Sequence, residues 1–158
     1  MTPYERVKLS RERTRLTFPL PGVSDCIRYA ICELVEYDDA LLRMERTGDK
    51  RNNDKAHDPA AELGQALYML LSAAVQLGVE PALYDYSGYT SLWYVEVLKW
   101  LADLLQALCD GYTALDQEFS GCYSTMCGLA ALHGWDAAEL VDAACAAFEA
   151  KHAPEVHA

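Results

Sequence analysis

The chain has 158 residues, the usual size of one domain and too few for two independent hydrophobic cores. Hydrophobic residues make up 52% of it, and Ala and Leu dominate them while β-branched residues are few, a mixture that favours packed helices. The formal net charge of -11 excludes a general nucleic-acid binder, because phosphate backbones require a basic surface. We therefore expect one all-α domain that makes no direct contact with nucleic acid.

The sequence shows neither a membrane segment nor a disulfide framework. No stretch approaches the roughly 18 to 20 consecutive apolar residues that a membrane helix needs. Residues 1–15 are charged and lack the apolar core of a signal peptide. The six cysteines form no C-x-x-C pair and no zinc-like spacing, so we interpret them as small buried residues. A cytoplasmic protein without a membrane partner is predicted.

The N-terminal segment is basic on an otherwise acidic chain. Residues 1–20 hold two acidic residues and five of the thirteen basic ones: Arg6, Lys8, Arg11, Arg13 and Arg15. We interpret residues 1–23 as a solvated basic arm, with an arm that reaches a partner subunit or a substrate phosphate as the alternative. The domain then spans residues 24–153, and residues 154–158 form a C-terminal tail.

Two helices are predicted directly after this arm. The first begins at Ser24 or Asp25, behind the Pro21-Gly22 break, and ends near residues 46–48. Residues 47–57 (TGDKRNNDKAH) are polar and turn-rich, which predicts an exposed, mobile loop; its basic residues are Lys50, Arg51 and Lys55. The second helix has Asp58 as N-cap and Pro59 at its first position, and Gly78 closes it.

Three further helices complete the prediction. One runs from a cap at Ser91 to about Cys109, and another covers about residues 113–133. The last begins at Asp136 and stops before Pro154. About five helices joined by mostly short connections predict a helical bundle.

Acidic residues on the first two helices are candidate metal ligands. Glu33 and Glu36 are three apart, so they share one helix face and repel each other unless a cation lies between them. For an arbitrary E-x-x-E pair the ordinary interpretation is a solvated face. Asp58, Glu62 and Gln65 share a face of the next helix, and antiparallel packing would bring Glu62 to Glu33 and Glu36. Three carboxylates in a half-buried groove suit Mg²⁺ or Mn²⁺.

At these residues the chain resembles the all-α nucleoside triphosphate pyrophosphatases, which include the MazG proteins and the dimeric dUTPases. The family pattern is E-E-x-x-E on one helix and E-x-x-D on the next; the matching segments here are residues 32–36 (CELVE) and 62–65 (ELGQ). Cys32 therefore replaces the first Glu, and Gln65 replaces the Asp that completes the four-carboxylate metal shell. The C-terminal helix resembles the family's closing helix, with Phe148, Lys151 and His152 at the positions of its aromatic, Lys and Asn.

The resemblance implies an activity: a metal-activated water attacks the α-phosphorus of a nucleoside triphosphate, giving a monophosphate and pyrophosphate. Glu33, Glu36, Glu62 and Gln65 would hold Mg²⁺ (or Mn²⁺), with Glu36 or Glu33 as catalytic carboxylates. Lys151 would pair with phosphate oxygens, and Lys55 and Arg51 (with Lys50) would close over them.

The resemblance also implies assembly, as a homodimer or homotetramer around a four-helix core. Several alternatives remain open from the sequence. The missing fourth carboxylate is supplied by Asp39, Asp58 or Asp103, or by none of them. A dimeric-type dUTPase is the close alternative to a MazG-like enzyme, and a helical nucleotide-binding or regulatory protein with impaired catalysis is the second.

Overall fold

The computed structural model describes residues 1–15, 21–47, 58–85 and 93–152. Over these ranges the chain forms six α-helices and contains no β-strand, so the predicted all-α class is confirmed. In chain order the helices are α1 (Pro3–Thr14), α2 (Val23–Thr47), α3 (Pro59–Leu77), α4 (Trp93–Cys109), α5 (Asp116–Leu132) and α6 (Ala137–His152). No helix in the described part of the chain is sufficiently long and apolar to cross a membrane.

The described residues form one helix more than the five or so expected, and the additional helix is α1. The basic N-terminal segment, interpreted as a solvated arm, is instead a helix that packs on α3 and α6. Thr2 and Glu5 form a reciprocal capping box at its start, which satisfies exposed N–H groups of the first turn. The Arg6 guanidinium bonds to Asp142 at 2.7 Å and to Glu149 at 2.6 Å, both on α6. Acidic residues of α6 thus hold a segment that composition alone marked as a free tail.

Helices α2 and α3 form the most extensive packing pair and run antiparallel. The Gln76 side chain, near the end of α3, donates to the Pro21 carbonyl at the start of α2 (2.8 Å). The predicted boundaries of α3 are confirmed: the Asp58 side chain accepts from the Ala60 N–H at 3.1 Å, and Gly78 closes the helix with φ of 68°. This hairpin carries much of the hydrophobic core, including Leu34, Leu63, Leu67 and Leu70.

The remaining helices enclose the hairpin. Helix α4 packs on α5 and α2, and α6 lies against α3 and α1. As predicted, Asp136 caps α6, accepting from the Ala138 N–H at 2.7 Å. Helices α3 and α6 approach closely at Gly64, where an added Cβ would lie 2.7 Å from the Leu140 carbonyl oxygen. This contact fixes the spacing of two walls of the groove described next.

Candidate metal centre and substrate groove

Three glutamates from the α2–α3 hairpin meet at one point. Glu33 and Glu36 extend from the same face of α2, and Glu62 lies in the first turn of α3. One carboxylate oxygen from each lies within 4.8 Å of the other two. Antiparallel packing brings them together, because it sets the middle of α2 opposite the start of α3. We call these three residues the carboxylate cluster; the convergence expected from the sequence is what the structure shows.

Burial in the cluster is graded. Glu62 is 5% exposed, Glu33 is half-buried and Glu36 is exposed. Burial raises the pKa of Glu62 to about 8, assisted by a hydrogen bond to Glu33 and by the negative charges of Glu33 and Glu36. The pKa of Glu33 is also raised, chiefly by burial. The raised pKa of Glu62 favours its protonated form, which donates to the Glu33 carboxylate.

The cluster has the chemistry of a divalent-cation site. Its donors are all carboxylate oxygens, the ligand type that Mg²⁺, Mn²⁺ and Ca²⁺ prefer. Burial and the two neighbouring carboxylates raise the pKa of Glu62, and a bound cation would oppose that effect. Binding would then displace the proton shared by Glu33 and Glu62. Glu36, the exposed member, leaves the cluster open to solvent on one side.

A groove of about 380 Å³ begins at the cluster and runs between α2, α3 and α6. Glu33 and Gln65 line it together with Lys151, so three residues predicted for the site share one cavity. Its other walls are mostly apolar and aromatic; they are formed by Pro21, Tyr29, Tyr68, Met69, Ala144, Ala147, Phe148 and His152. The groove thus combines an acidic end and the Lys151 ammonium group with a surface on which a planar ring can stack.

Candidates for the missing fourth carboxylate lie outside the cluster. Asp39 pairs with Arg43 at 2.8 Å, and Asp58 caps α3. Asp103 is an exposed residue of α4. Within the described residues, the acidic group at the site consists of Glu33, Glu36 and Glu62 without any of these three. Gln65 is exposed in the groove wall and carries a neutral amide.

Not every predicted substrate contact can be placed. Arg51 and Lys55, with Lys50, lie outside the described residues, so their predicted closure over the phosphates stays a prediction. Lys151 is exposed near the end of α6, within the groove. It is therefore the predicted phosphate contact that the structure brings to the site.

Sequence reasoning missed Arg11 of α1, which lies behind the aromatic wall. Its guanidinium carbon is 5.7 Å from the centre of the Tyr68 ring and 5.2 Å from that of Phe148. In the sequence Arg11 is one of five similar basic residues. The signal that would have singled it out is helical spacing, because the buried residues of α1 are Val7, Ser10, Arg11 and Thr14.

Comparison with known proteins adds no assignment: no family model, no curated protein and no solved structure matches the chain. The resemblance to the all-α pyrophosphatases therefore depends on the motif residues given above.

Proposed function

We propose that this protein is a metal-dependent nucleoside triphosphate pyrophosphohydrolase of the MazG-like kind. It would convert a nucleoside or deoxynucleoside triphosphate and water into the monophosphate and pyrophosphate. The observation that carries the proposal is the meeting of Glu33, Glu36 and Glu62 within 4.8 Å at one end of a groove with an aromatic wall. A cation site beside a ring-binding surface suits a ligand with both phosphates and a base.

Each part of the site has a role in this proposal. Glu33, Glu36 and Glu62, with the Gln65 carbonyl, would hold Mg²⁺ or Mn²⁺, which neutralises phosphate charge and lowers the pKa of a water molecule. Lys151 donates to phosphate oxygens. Glu36, exposed at the cluster, accepts the proton of the water that attacks the α-phosphorus, and the bond from that phosphorus to the bridging oxygen of the β-phosphate breaks. The base and sugar lie along Tyr68 and Met69, which line the groove.

A panel of triphosphates tests the proposal. Pyrophosphate release is measured for the common ribo- and deoxynucleoside triphosphates with Mg²⁺, with Mn²⁺ and with chelator. The proposal expects metal-dependent release and its loss in Glu62→Gln and Glu36→Gln. Glu45→Gln is the matched control, because Glu45 is an exposed glutamate of the same helix outside the cluster. Glu36→Gln with full activity would remove Glu36 from the site.

The proposal includes an assembled enzyme that works in the cytoplasm. Val35 and Leu42 are seven residues apart on α2, so they lie near one face, and each is 50% exposed. These two exposed apolar side chains are the contacts that the proposal gives to a homodimer or homotetramer in which helices of different copies form a four-helix core. Light scattering after size exclusion measures the mass of the wild type and of Val35→Glu. A monomeric wild type would refute the assembly.

A further inference from the structure

Among the described residues, Arg11 differs from the other arginines of α1 in having no acidic partner. Arg6 pairs with Asp142 and Glu149, and Arg13 pairs with Glu149 at 3.4 Å. Arg11 is 4% exposed, and Nη1 makes one long bond to the Tyr68 hydroxyl, at 3.4 Å. Among the described residues, neither Nε nor Nη2 of this guanidinium has a hydrogen-bond acceptor.

Such an arrangement is unfavourable in the isolated fold. A buried charge without a counterion and two buried donors without acceptors both cost free energy, and stacking on two rings offsets only part of it. Departures of this kind from favourable local chemistry are expected at functional or strained sites. Nε and Nη2 lie on the same side of the guanidinium, so they form a two-donor fork.

The position of Arg11 relates it to the groove. The two aromatic rings that its guanidinium contacts, Tyr68 and Phe148, line the groove, and Arg11 lies behind them. Its charge also acts on the Cys26 thiol, lowering the pKa of that group against the larger effect of burial. Cys26 is seven residues before Glu33, about 10 Å along α2 at 1.5 Å per residue. Tyr68 is six residues after Glu62, about 9 Å along α3 by the same rise. Both helices place Arg11 well beyond the carboxylate cluster, on the base side of a nucleotide whose phosphates lie at the cluster.

We propose that Arg11 is the specificity-determining residue for the base, donating from Nε and Nη2 to two adjacent acceptors on one edge of it. This inference rests on the proposed nucleotide site. Guanine offers O6 and N7 as such a pair, and cytosine offers O2 and N3, whereas adenine, thymine and uracil present no two neighbouring acceptors. The half-buried Phe148 ring shifts aside when the base enters, since side-chain rearrangements are common on binding.

Two measurements on the full-length protein test this inference. The first is kcat/KM for dGTP, dCTP, dATP and dUTP. We expect the value for dGTP or dCTP to exceed those for dATP and dUTP by about tenfold or more. Comparison of dGTP with dCTP then decides between guanine and cytosine. The second is calorimetric binding of the four deoxynucleoside monophosphates without metal, which needs no hydrolysis. Equal rates and equal affinities for all four bases would overturn the inference.

Substitutions separate recognition from a structural role. Arg11→Met should remove the preference without lowering the melting temperature, because it replaces an unpaired buried charge with an apolar side chain. Arg11→Lys keeps the charge but not the fork, so it should lose the preference too. Arg13→Met is the control from the same helix and should keep it. Full base preference in Arg11→Lys would overturn the inference, whether or not Arg11→Met folds.

Failure of this inference is distinguishable from failure of the proposed function. If no triphosphate is hydrolysed while monophosphate binding still selects guanine or cytosine through Arg11, the pyrophosphohydrolase is wrong and base recognition stands. If triphosphates are hydrolysed and Arg11→Met changes no base preference, the pyrophosphohydrolase stands and base recognition by Arg11 is wrong.

Discussion

Replacing Glu62 with Gln should stabilise the metal-free protein at neutral pH and leave its stability unchanged in acid. The Glu62 pKa is raised to about 8 in the folded state, against 4.5 as its ordinary value. A group whose pKa is raised by folding contributes stability that is fully present below its ordinary pKa and is lost as pH rises through the folded value. Gln carries no ionisable proton, and its amide can still donate to Glu33.

The size of the effect follows from the interval between the two pKa values. Each pH unit above 4.5 and below about 8 costs the wild type about 1.4 kcal/mol of the free energy of unfolding relative to the variant. From pH 4.5 to pH 7 this amounts to roughly 3 kcal/mol. Glu33 and Glu36 face Glu62 across the cluster, and both are present in the wild type and in Glu62→Gln.

Urea unfolding of the two proteins at intervals between pH 4.5 and pH 8 measures this difference directly. The stability advantage of Glu62→Gln should grow with pH, and divalent cation should nearly cancel it at pH 7, because a cation binds the ionised cluster of the wild type and adds about 2.7 kcal/mol at one hundred times its Kd. Glu45→Gln should follow the wild type throughout. A stability difference between Glu62→Gln and wild type that is constant across this range would refute the reasoning.

Three further changes probe the site and its frame. Gln65→Asp should tighten Mn²⁺ binding, measured by calorimetry, because it adds a negatively charged oxygen ligand one turn from Glu62; unchanged affinity would show that position 65 does not face the cation. Lys151→Met should raise KM for a triphosphate about tenfold with a smaller change in kcat, since it removes a charged donor to phosphate; an unaltered KM would exclude this contact. Gly64→Ala should lower the free energy of unfolding by about 1 to 3 kcal/mol, because its Cβ meets the backbone of α6 at 2.7 Å. Gly22→Ala is the control for the last change, since nothing lies within 4 Å of its added Cβ, and equal losses in the two variants would contradict the packing argument.

The sequence predicted those parts of the fold that local chemistry determines. Asp58, Pro59 and Gly78 mark the ends of α3 because caps and left-handed closures depend on neighbouring residues alone. The i, i+3 spacing of Glu33 and Glu36 likewise gave their common face. The meeting of these residues with Glu62 needed only antiparallel packing of two adjacent helices, so it too was predictable.

Features that depend on distant partners were not predictable in this way. Helix α1 was missed because the acids that hold Arg6 are 136 and 143 residues further along the chain. Arg11 was missed because the feature that distinguishes it is the lack of an acidic partner among the described residues, which is visible only when its neighbours are known. Gln65 lies in the groove wall beside Glu33, and its neutral amide does not supply the charge of a carboxylate.

Pyrophosphate release in the presence of Mn²⁺ or Mg²⁺, compared between the wild type and Glu62→Gln, tests the central claim most directly. We predict release from at least one common nucleoside triphosphate, its loss on chelation, and its loss in the variant with the helical content unchanged by circular dichroism. No release from any triphosphate, together with no metal-dependent rise in the melting temperature, would contradict the claim that the carboxylate cluster is the centre of a pyrophosphohydrolase.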